Sequence, residues 1–109
     1  MLTLLKYSTP ECPVCQTMAT FDAKIAEELA VAYVVVDLTS PDIYRRYRGV
    51  LLHQYPLKRE LKLPTYILVD EPEGDFTIHG DISGGLSEDL FRSRLKQLIA
   101  TAAQDSRSG

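Results

Sequence analysis

The only two cysteines of this chain lie three residues apart, as Cys12 and Cys15 in the sequence Cys-Pro-Val-Cys. Side chains at this spacing on a helix lie about 5–6 Å apart, which is near enough for a disulfide after a small adjustment. Backbone N–H groups at a helix start favour a thiolate, and thiolate is the attacking species in disulfide exchange. The pattern therefore predicts a redox couple in which Cys12 attacks a disulfide and Cys15 resolves the mixed disulfide.

Two other interpretations of the cysteine pair remain open from the residues alone. The pair could consist of two small buried side chains without chemistry, or it could supply half of a zinc site. Zinc would need two further ligands, and the histidines, His53 and His79, do not have the usual ligand spacing. We therefore predict redox chemistry that needs no metal and no organic cofactor.

Length, charge and the first residues limit the class of protein. The 109 residues suit one domain, for which we expect the range 1–103, followed by a polar, disordered tail over 104–109. The net charge of −3 argues against binding to nucleic acid or to an anionic membrane. The apolar run at the start is too short for a signal peptide. We expect a cytoplasmic protein and a monomer.

Hydrophobic periodicity predicts the elements that position the cysteines. A buried strand over residues 3–7 comes first, and a helix begins at Cys12-Pro13. The apolar face of that helix comprises Val14, Met18, Phe21, Ile25 and Leu29. Further strands are predicted over residues 31–36, buried on both faces, and over 65–69 and 76–79.

Three further helices complete the pattern. The first begins after Ser40 and ends near Gly49, and a short one begins at Pro56 and ends at Leu61. The last is capped by Ser87 and has a predicted core face of Leu90, Phe91, Leu95, Leu98, Ile99 and Ala102. The main order, β-α-β-α-β-β-α, predicts an α/β fold with a four-stranded mixed sheet flanked by helices.

Several features taken together resemble the thioredoxin superfamily. They are a strand running into Cys-Pro-x-Cys, the sequence Leu63-Pro64-Thr65 before a hydrophobic strand, a hairpin, the Gly84-Gly85 turn and a last helix. The resemblance covers nearly the whole chain and implies a thioredoxin-like fold and a thiol–disulfide oxidoreductase. It also implies that Pro64 follows a cis peptide bond and faces the cysteines, so that the backbone of Leu63 can pair with an extended substrate.

The resemblance also implies substrate-binding residues and partners. The implied substrate-binding residues are Pro13, Val14, Leu63, Pro64, Thr65, Gly84 and Gly85. The implied partners are a protein disulfide or glutathione, the latter as co-substrate, and an electron-donating reductase. In glutaredoxins the glycine-rich turn helps to hold glutathione, for which Ser87 and Asp89 are candidates here; the alternative is an ordinary turn and helix cap.

The chain departs from the thioredoxin pattern near the cysteines. Lys6 stands where thioredoxins carry a buried Asp, and we predict that Lys6 faces solvent at a strand edge. Glu11 stands where thioredoxins usually have a Trp, and its carboxylate opposes thiolate formation at Cys12. These departures support a second hypothesis, a thioredoxin-fold binding or adaptor module whose cysteine pair is regulatory or vestigial.

Overall fold

A computed structural model describes residues 1–56 and 61–108 of the chain. In chain order the elements are β1 (Leu2–Ser8), α1 (Pro13–Met18), α2 (Asp22–Glu28), β2 (Ala32–Asp37), α3 (Pro41–Gln54), β3 (Thr65–Asp70), β4 (Thr77–Ser83) and α4 (Glu88–Ser108). The strands form one sheet in the order β2-β1-β3-β4. β2 pairs with β1 in parallel, whereas the β1–β3 and β3–β4 pairs are antiparallel. The predicted α/β class and mixed four-stranded sheet are confirmed.

The sheet separates two hydrophobic clusters. Successive side chains of a strand point to opposite faces, so the neighbours Leu4 and Leu5 of β1 belong to different clusters. The cluster on the side of α1, α2 and α4 has as its buried members Leu4, Met18, Ile25, Ala26, Val31, Tyr66, Leu68, Ile82, Phe91 and Leu95. The cluster on the side of α3 has as its buried members Leu5, Tyr7, Val36, Tyr47, Val50, Leu51, Ile67 and Val69. Helices therefore cover both faces of the sheet.

The helix predicted after the cysteines is divided into two, α1 and α2. The Thr20 N–H donates to the Thr17 carbonyl at 3.2 Å, and the Thr20 hydroxyl donates to the same oxygen at 2.7 Å. Bonds that span three residues tighten the last turn of a helix and end it here. Val14 is 40% exposed, so its predicted place in the core is wrong. Met18 and Ile25 do lie in the core.

β2 is an edge strand, and the prediction that it is buried on both faces is wrong. In the sheet order it has β1 on one side only. Val36 is fully buried, but Val35 is 47% exposed. Its run of valines reflects the fit of branched side chains to a pleated strand, which does not require burial on both faces.

α3 continues beyond the glycine that was expected to end it. It passes through Gly49 to Gln54 because Val50 and Leu51, directly after the glycine, pack in the cluster on the α3 side. Tertiary packing here outweighs the low helix propensity of one glycine. The short helix predicted between Pro56 and Leu61 falls largely on residues 57–60, outside the described residues.

α4 begins where the sequence predicts and ends later. The Leu90 N–H donates to the Ser87 hydroxyl at 3.3 Å, as expected for a cap. Leu90 itself is 55% exposed, which corrects its place on the predicted core face. The helix continues to Ser108, so the predicted disordered tail is helical up to that residue. The segment 104–108 contains neither Gly nor Pro, the residues that disfavour helix most.

One end of the sheet gathers the segments that carry the predicted site. Tyr7, near the end of β1, pairs with Thr65, the first residue of β3. Thr65 also pairs with Ser83, the last residue of β4. The cysteine segment, Pro64 and Gly84 all adjoin these strand ends, so the topology places them at the same edge of the molecule.

Candidate functional site

The two cysteines occupy different environments at the start of α1. Cys12 is the N-cap residue and half-buried, and its sulfur accepts a hydrogen bond from the Cys15 N–H at 3.1 Å. Cys15 is only 4% exposed. Their Cα atoms are 5.2 Å apart and the two sulfurs are joined as a disulfide. Of the two sulfurs, that of Cys12 is the more accessible to an external thiol or thiolate.

Pro64 and Gly84 form a second part of the candidate site. The Leu63–Pro64 peptide bond is cis, as the resemblance to the thioredoxin superfamily implies. Pro64 is buried, and a Cβ atom placed on Gly84 would lie 2.8 Å from the Pro64 nitrogen and 2.9 Å from its Cγ. The turn at Gly84 can therefore approach the proline this closely only because the residue has no side chain.

Leu63 and Thr65, on either side of Pro64, differ in their exposure to solvent. Leu63 is half-buried. Thr65 is fully buried, and its hydroxyl donates to the Lys62 carbonyl at 2.6 Å, which closes the turn before β3. The Thr65 side chain is thus engaged within the chain, whereas part of Leu63 remains accessible.

A groove brings three more of the predicted residues together. Pro13, Val14 and Gly85 line a space of about 420 Å³ between α1 and the turn before α4. Ser87 also lines it, although its hydroxyl caps α4. Asp89 lies 3.6 Å from Arg92 and is almost fully exposed. The hydrogen bond of Ser87 fits the ordinary helix cap that was the alternative to a glutathione site.

Lys6 does not face solvent, and that prediction is wrong. Its side chain is 4% exposed, and its Nζ forms an ion pair with Asp22 Oδ2 at 2.7 Å. The same Nζ donates to the backbone carbonyl oxygen of Cys15 at 3.0 Å. β1 lies inside the sheet, and alternation puts Lys6 on the face of Leu4, which α1 and α2 cover.

Asp22 is the centre of a buried polar cluster that the sequence analysis missed. Besides the ion pair with Lys6, its carboxylate accepts the Tyr66 hydroxyl at 2.7 Å and the Ala23 N–H at 2.6 Å. Tyr33 lies close enough to Asp22 for the carboxylate to affect its ionisation. Burial first, and then the neighbouring Asp22, raise the pKa of both tyrosines well above the ordinary value, so both remain protonated donors.

A signal for this cluster was present in the sequence. Asp22 follows Met18 by four residues and precedes Ile25 by three, so a helical pattern puts its carboxylate on the buried face. A buried carboxylate requires a cation or several donors. Lys6, between apolar residues of a central strand, is the matching cation.

Neither a metal-binding group nor a membrane span is present among the described residues. Within residues 1–56 and 61–108, no group of three or more His, Cys, Asp or Glu side chains is arranged to hold a metal ion. None of the helices in those ranges combines the length and the apolar character needed to cross a bilayer.

Comparison with protein-family models and with curated protein sequences returns no match. Solved structures do match. The periplasmic thioredoxin SoxS from Paracoccus pantotrophus, in its reduced form, matches with a TM-score of 0.63 and 21% identity over 94% of this chain and 99% of that one. The thioredoxin from Thermus thermophilus gives 0.62 and 21% over 90% and 73% of the two chains. The thioredoxin from Trypanosoma brucei brucei gives 0.60 and 24% over 92% and 76%.

These neighbours match almost the whole of the present chain. The cysteine pair at the start of α1 completes the correspondence with the resemblance found in the sequence. The chain therefore has the thioredoxin fold.

Proposed function

We propose that this protein is a thiol–disulfide oxidoreductase that acts through Cys12 and Cys15. The observation that carries the proposal is the pair itself: a partly exposed sulfur at Cys12 linked to a buried one at Cys15, at the edge of a thioredoxin fold. One accessible and one protected sulfur are what a nucleophile and a resolving thiol require.

The proposed reaction transfers two electrons in two exchange steps. In the reduced protein, the Cys12 thiolate attacks one sulfur of a substrate disulfide, forms a mixed disulfide and releases the first substrate thiolate. The Cys15 thiolate then attacks the Cys12 sulfur, which releases the second substrate thiolate and forms the Cys12–Cys15 disulfide. A reductase or a small thiol such as glutathione returns the two electrons, and the reverse sequence would oxidise a dithiol.

The substrate wall in this proposal is the cis peptide bond with its neighbours. The backbone of Leu63 would pair with an extended polypeptide, because a proline at the next position offers no competing N–H. The groove lined by Pro13, Val14 and Gly85 would take an apolar side chain beside the reacting sulfur. Contacts of this kind favour a protein disulfide over a free small thiol as the main substrate.

The decisive experiment measures the reduction potential of the pair in defined glutathione buffers. We expect a value between about −180 and −270 mV, the range of working oxidoreductases. A value below about −300 mV, or no exchange with glutathione, would indicate an inert bridge and favour the adaptor hypothesis.

Two variants test the separate roles of the cysteines. Cys15→Ser should accumulate a mixed disulfide with a protein substrate, because the resolving thiol is missing. Cys12→Ser should form none, since Cys15 is buried. Equal trapping by both variants would contradict the assignment of nucleophile and resolving thiol.

A further inference from the structure

The buried ion pair of Lys6 and Asp22 has a direction relative to the cysteines. The ammonium end contacts the carbonyl oxygen of Cys15 at 3.0 Å, while the carboxylate end contacts Lys6, Tyr66 and the Ala23 N–H near the start of α2. The positive end of the pair is therefore the end that touches the resolving cysteine. Sequence spacing around the cysteines does not show this.

We propose that Lys6 is a positioning residue for Cys15: its ammonium, held in place by Asp22, stabilises the thiolate-bearing reduced form of the cysteine pair. The proposal rests on the oxidoreductase function proposed above and adds a residue that sets the equilibrium of that reaction. It differs from a buried carboxylate beside the cysteines, since a cation favours thiolate and an anion opposes it.

Burying the Lys6–Asp22 ion pair costs free energy of folding, so its presence needs an explanation other than stability. Lys6 and Asp22 are 4% and 1% exposed in their side chains. A buried ion pair contributes little to stability when compared with well-packed apolar residues of similar size, because both charges lose their hydration. Such a pair fits a role in the chemistry of Cys15 better than a role in holding α2 to the sheet.

The groups that face Lys6 leave its charge effective at Cys15. They are Asp22 of α2, Tyr66 of β3, whose ring centroid lies 5.9 Å from Nζ, and Cys15 of α1. Tyr33 of β2 faces Asp22. Both tyrosines are neutral, so among the described residues the carboxylate that opposes the ammonium is that of Asp22, which accepts from three donors: Lys6, the Tyr66 hydroxyl and the Ala23 N–H.

A cleft gives solvent access to the same place. It has a volume of about 350 Å³, and its lining includes Lys6, Cys15 and Asp22 together with Tyr33 and Val35 of the edge strand. When a dithiol or two glutathione molecules reduce the disulfide, the two reductant sulfurs become joined as a disulfide and release two protons. The two electrons break the Cys12–Cys15 bond and form two thiolates, which can take up those protons. Cys15 is among the lining residues, so protons taken up or released on reduction have a route to solvent beside the resolving cysteine.

The test removes the positive and the negative end of the ion pair separately and compares the effects on the reduction equilibrium. The equilibrium constant for reduction by glutathione is measured at about pH 8 for the full chain, for Lys6→Met and for Asp22→Asn. Lys6→Met leaves a carboxylate and should shift the equilibrium about tenfold toward the disulfide, which is about −30 mV. Asp22→Asn leaves an ammonium and should shift it about tenfold toward the dithiol, or about +30 mV.

Opposite signs separate this role from a structural one. Loss of packing alone would move both variants in the same direction, and the double variant Lys6→Met/Asp22→Asn should return close to the original value. Because the effect depends on thiolate, the shifts should become smaller as the pH falls to about 5, well below the ordinary thiol pKa of about 8.5. Shifts of the same sign, or shifts below about twofold at pH 8, would overturn the proposal.

Separate controls distinguish a failure of folding, a failure of the role of Lys6 and a failure of the proposed function. Thermal unfolding of the oxidised proteins checks that each variant is native; if Lys6→Met does not fold, the sign of the Asp22→Asn shift decides alone, since Asn keeps the shape and the acceptor for the Ala23 N–H. A working potential for the unmodified chain with no shift in the variants rejects only the role of Lys6. Absence of exchange in the unmodified chain rejects the proposed function itself.

Discussion

Replacing Gly84 by Ala tests the contact between the glycine turn and Pro64. The added Cβ would lie 2.8 Å from the Pro64 nitrogen and 2.9 Å from its Cγ. Carbon atoms prefer about 3.5–4.0 Å, so the turn and the proline must separate by about 1 Å. Overpacking of this kind costs about 1–3 kcal/mol, and the crowded atoms belong to a ring and to backbone, which cannot rotate away.

Two measurements follow from that displacement. Each kcal/mol lowers the melting temperature of a domain of this size by about 4–8 °C, so Gly84→Ala should melt at least about 4 °C lower. If Pro64 is part of the substrate wall, a displacement of about 1 Å should also slow exchange with a protein disulfide by about 10- to 100-fold. The assay is single-turnover exchange, with melting followed by circular dichroism.

Gly74→Ala is the matched control for the same substitution. Its Cβ would meet no atom within 4 Å. The lost freedom of the unfolded chain should leave it as stable as the original or more stable by about 0.4–1 kcal/mol. If the two alanine variants melted together and exchanged at the same rate, the argument that Gly84 is required by its contact with Pro64 would fail.

Two further predictions concern the polar contacts. Tyr66→Phe removes the hydroxyl that donates to Asp22 and should cost about 1.5–3 kcal/mol in urea unfolding, against about 1 kcal/mol for Tyr7→Phe, whose hydroxyl donates to the neutral carbonyl of Tyr47; equal costs would argue against a charged Asp22. The Arg92 guanidinium, 2.8 Å from Glu28, holds the pKa of Glu28 below its usual value. The pair therefore stabilises the fold above the ordinary Glu pKa of about 4.3, and that stability is lost as the pH falls through the lower folded value. Glu28→Gln should lower the melting temperature slightly at about pH 7 in low salt and have no effect at about pH 2 or in about 1 M salt; a difference that persists at about pH 2 would refute the ionic origin.

Elements with strong local signals could be predicted from the sequence. The strand before the cysteines, the strand after Pro64 and the Ser87 cap were predicted within a few residues, because alternation, β-branched side chains and capping are local properties. The cysteine pair was equally clear. Elements whose limits depend on distant contacts were not predictable in this way. Gly49 does not end α3, because Val50 and Leu51 pack against side chains of distant strands on the α3 side of the sheet.

The features of the predicted site also differ in whether they depend on local sequence or on distant contacts. The closeness of Cys12 to Cys15 followed from their spacing, whereas the cis bond before Pro64 was implied by the resemblance to the thioredoxin superfamily. The contact of Gly84 with Pro64 joins segments 20 residues apart in sequence through the pairing of β3 with β4, and no pattern within either segment indicates it. The exposure of Val35 likewise depends on where its strand falls in the sheet, which is a property of topology.

The break between α1 and α2 determines the electrostatics beneath the cysteines. Because α1 ends near Met18, a new helix begins at Asp22, and the Asp22 carboxylate accepts the Ala23 N–H at that helix start, where negative charge is favoured. A carboxylate fixed there can hold the Lys6 ammonium against Cys15. The two cysteines consequently contact different groups: the Cys12 sulfur accepts a backbone N–H, and the Cys15 carbonyl oxygen accepts a hydrogen bond from the buried Lys6 ammonium. A Cys-x-x-Cys motif gives the chemistry of such a pair, but its equilibrium depends on side chains that only the folded chain brings to it.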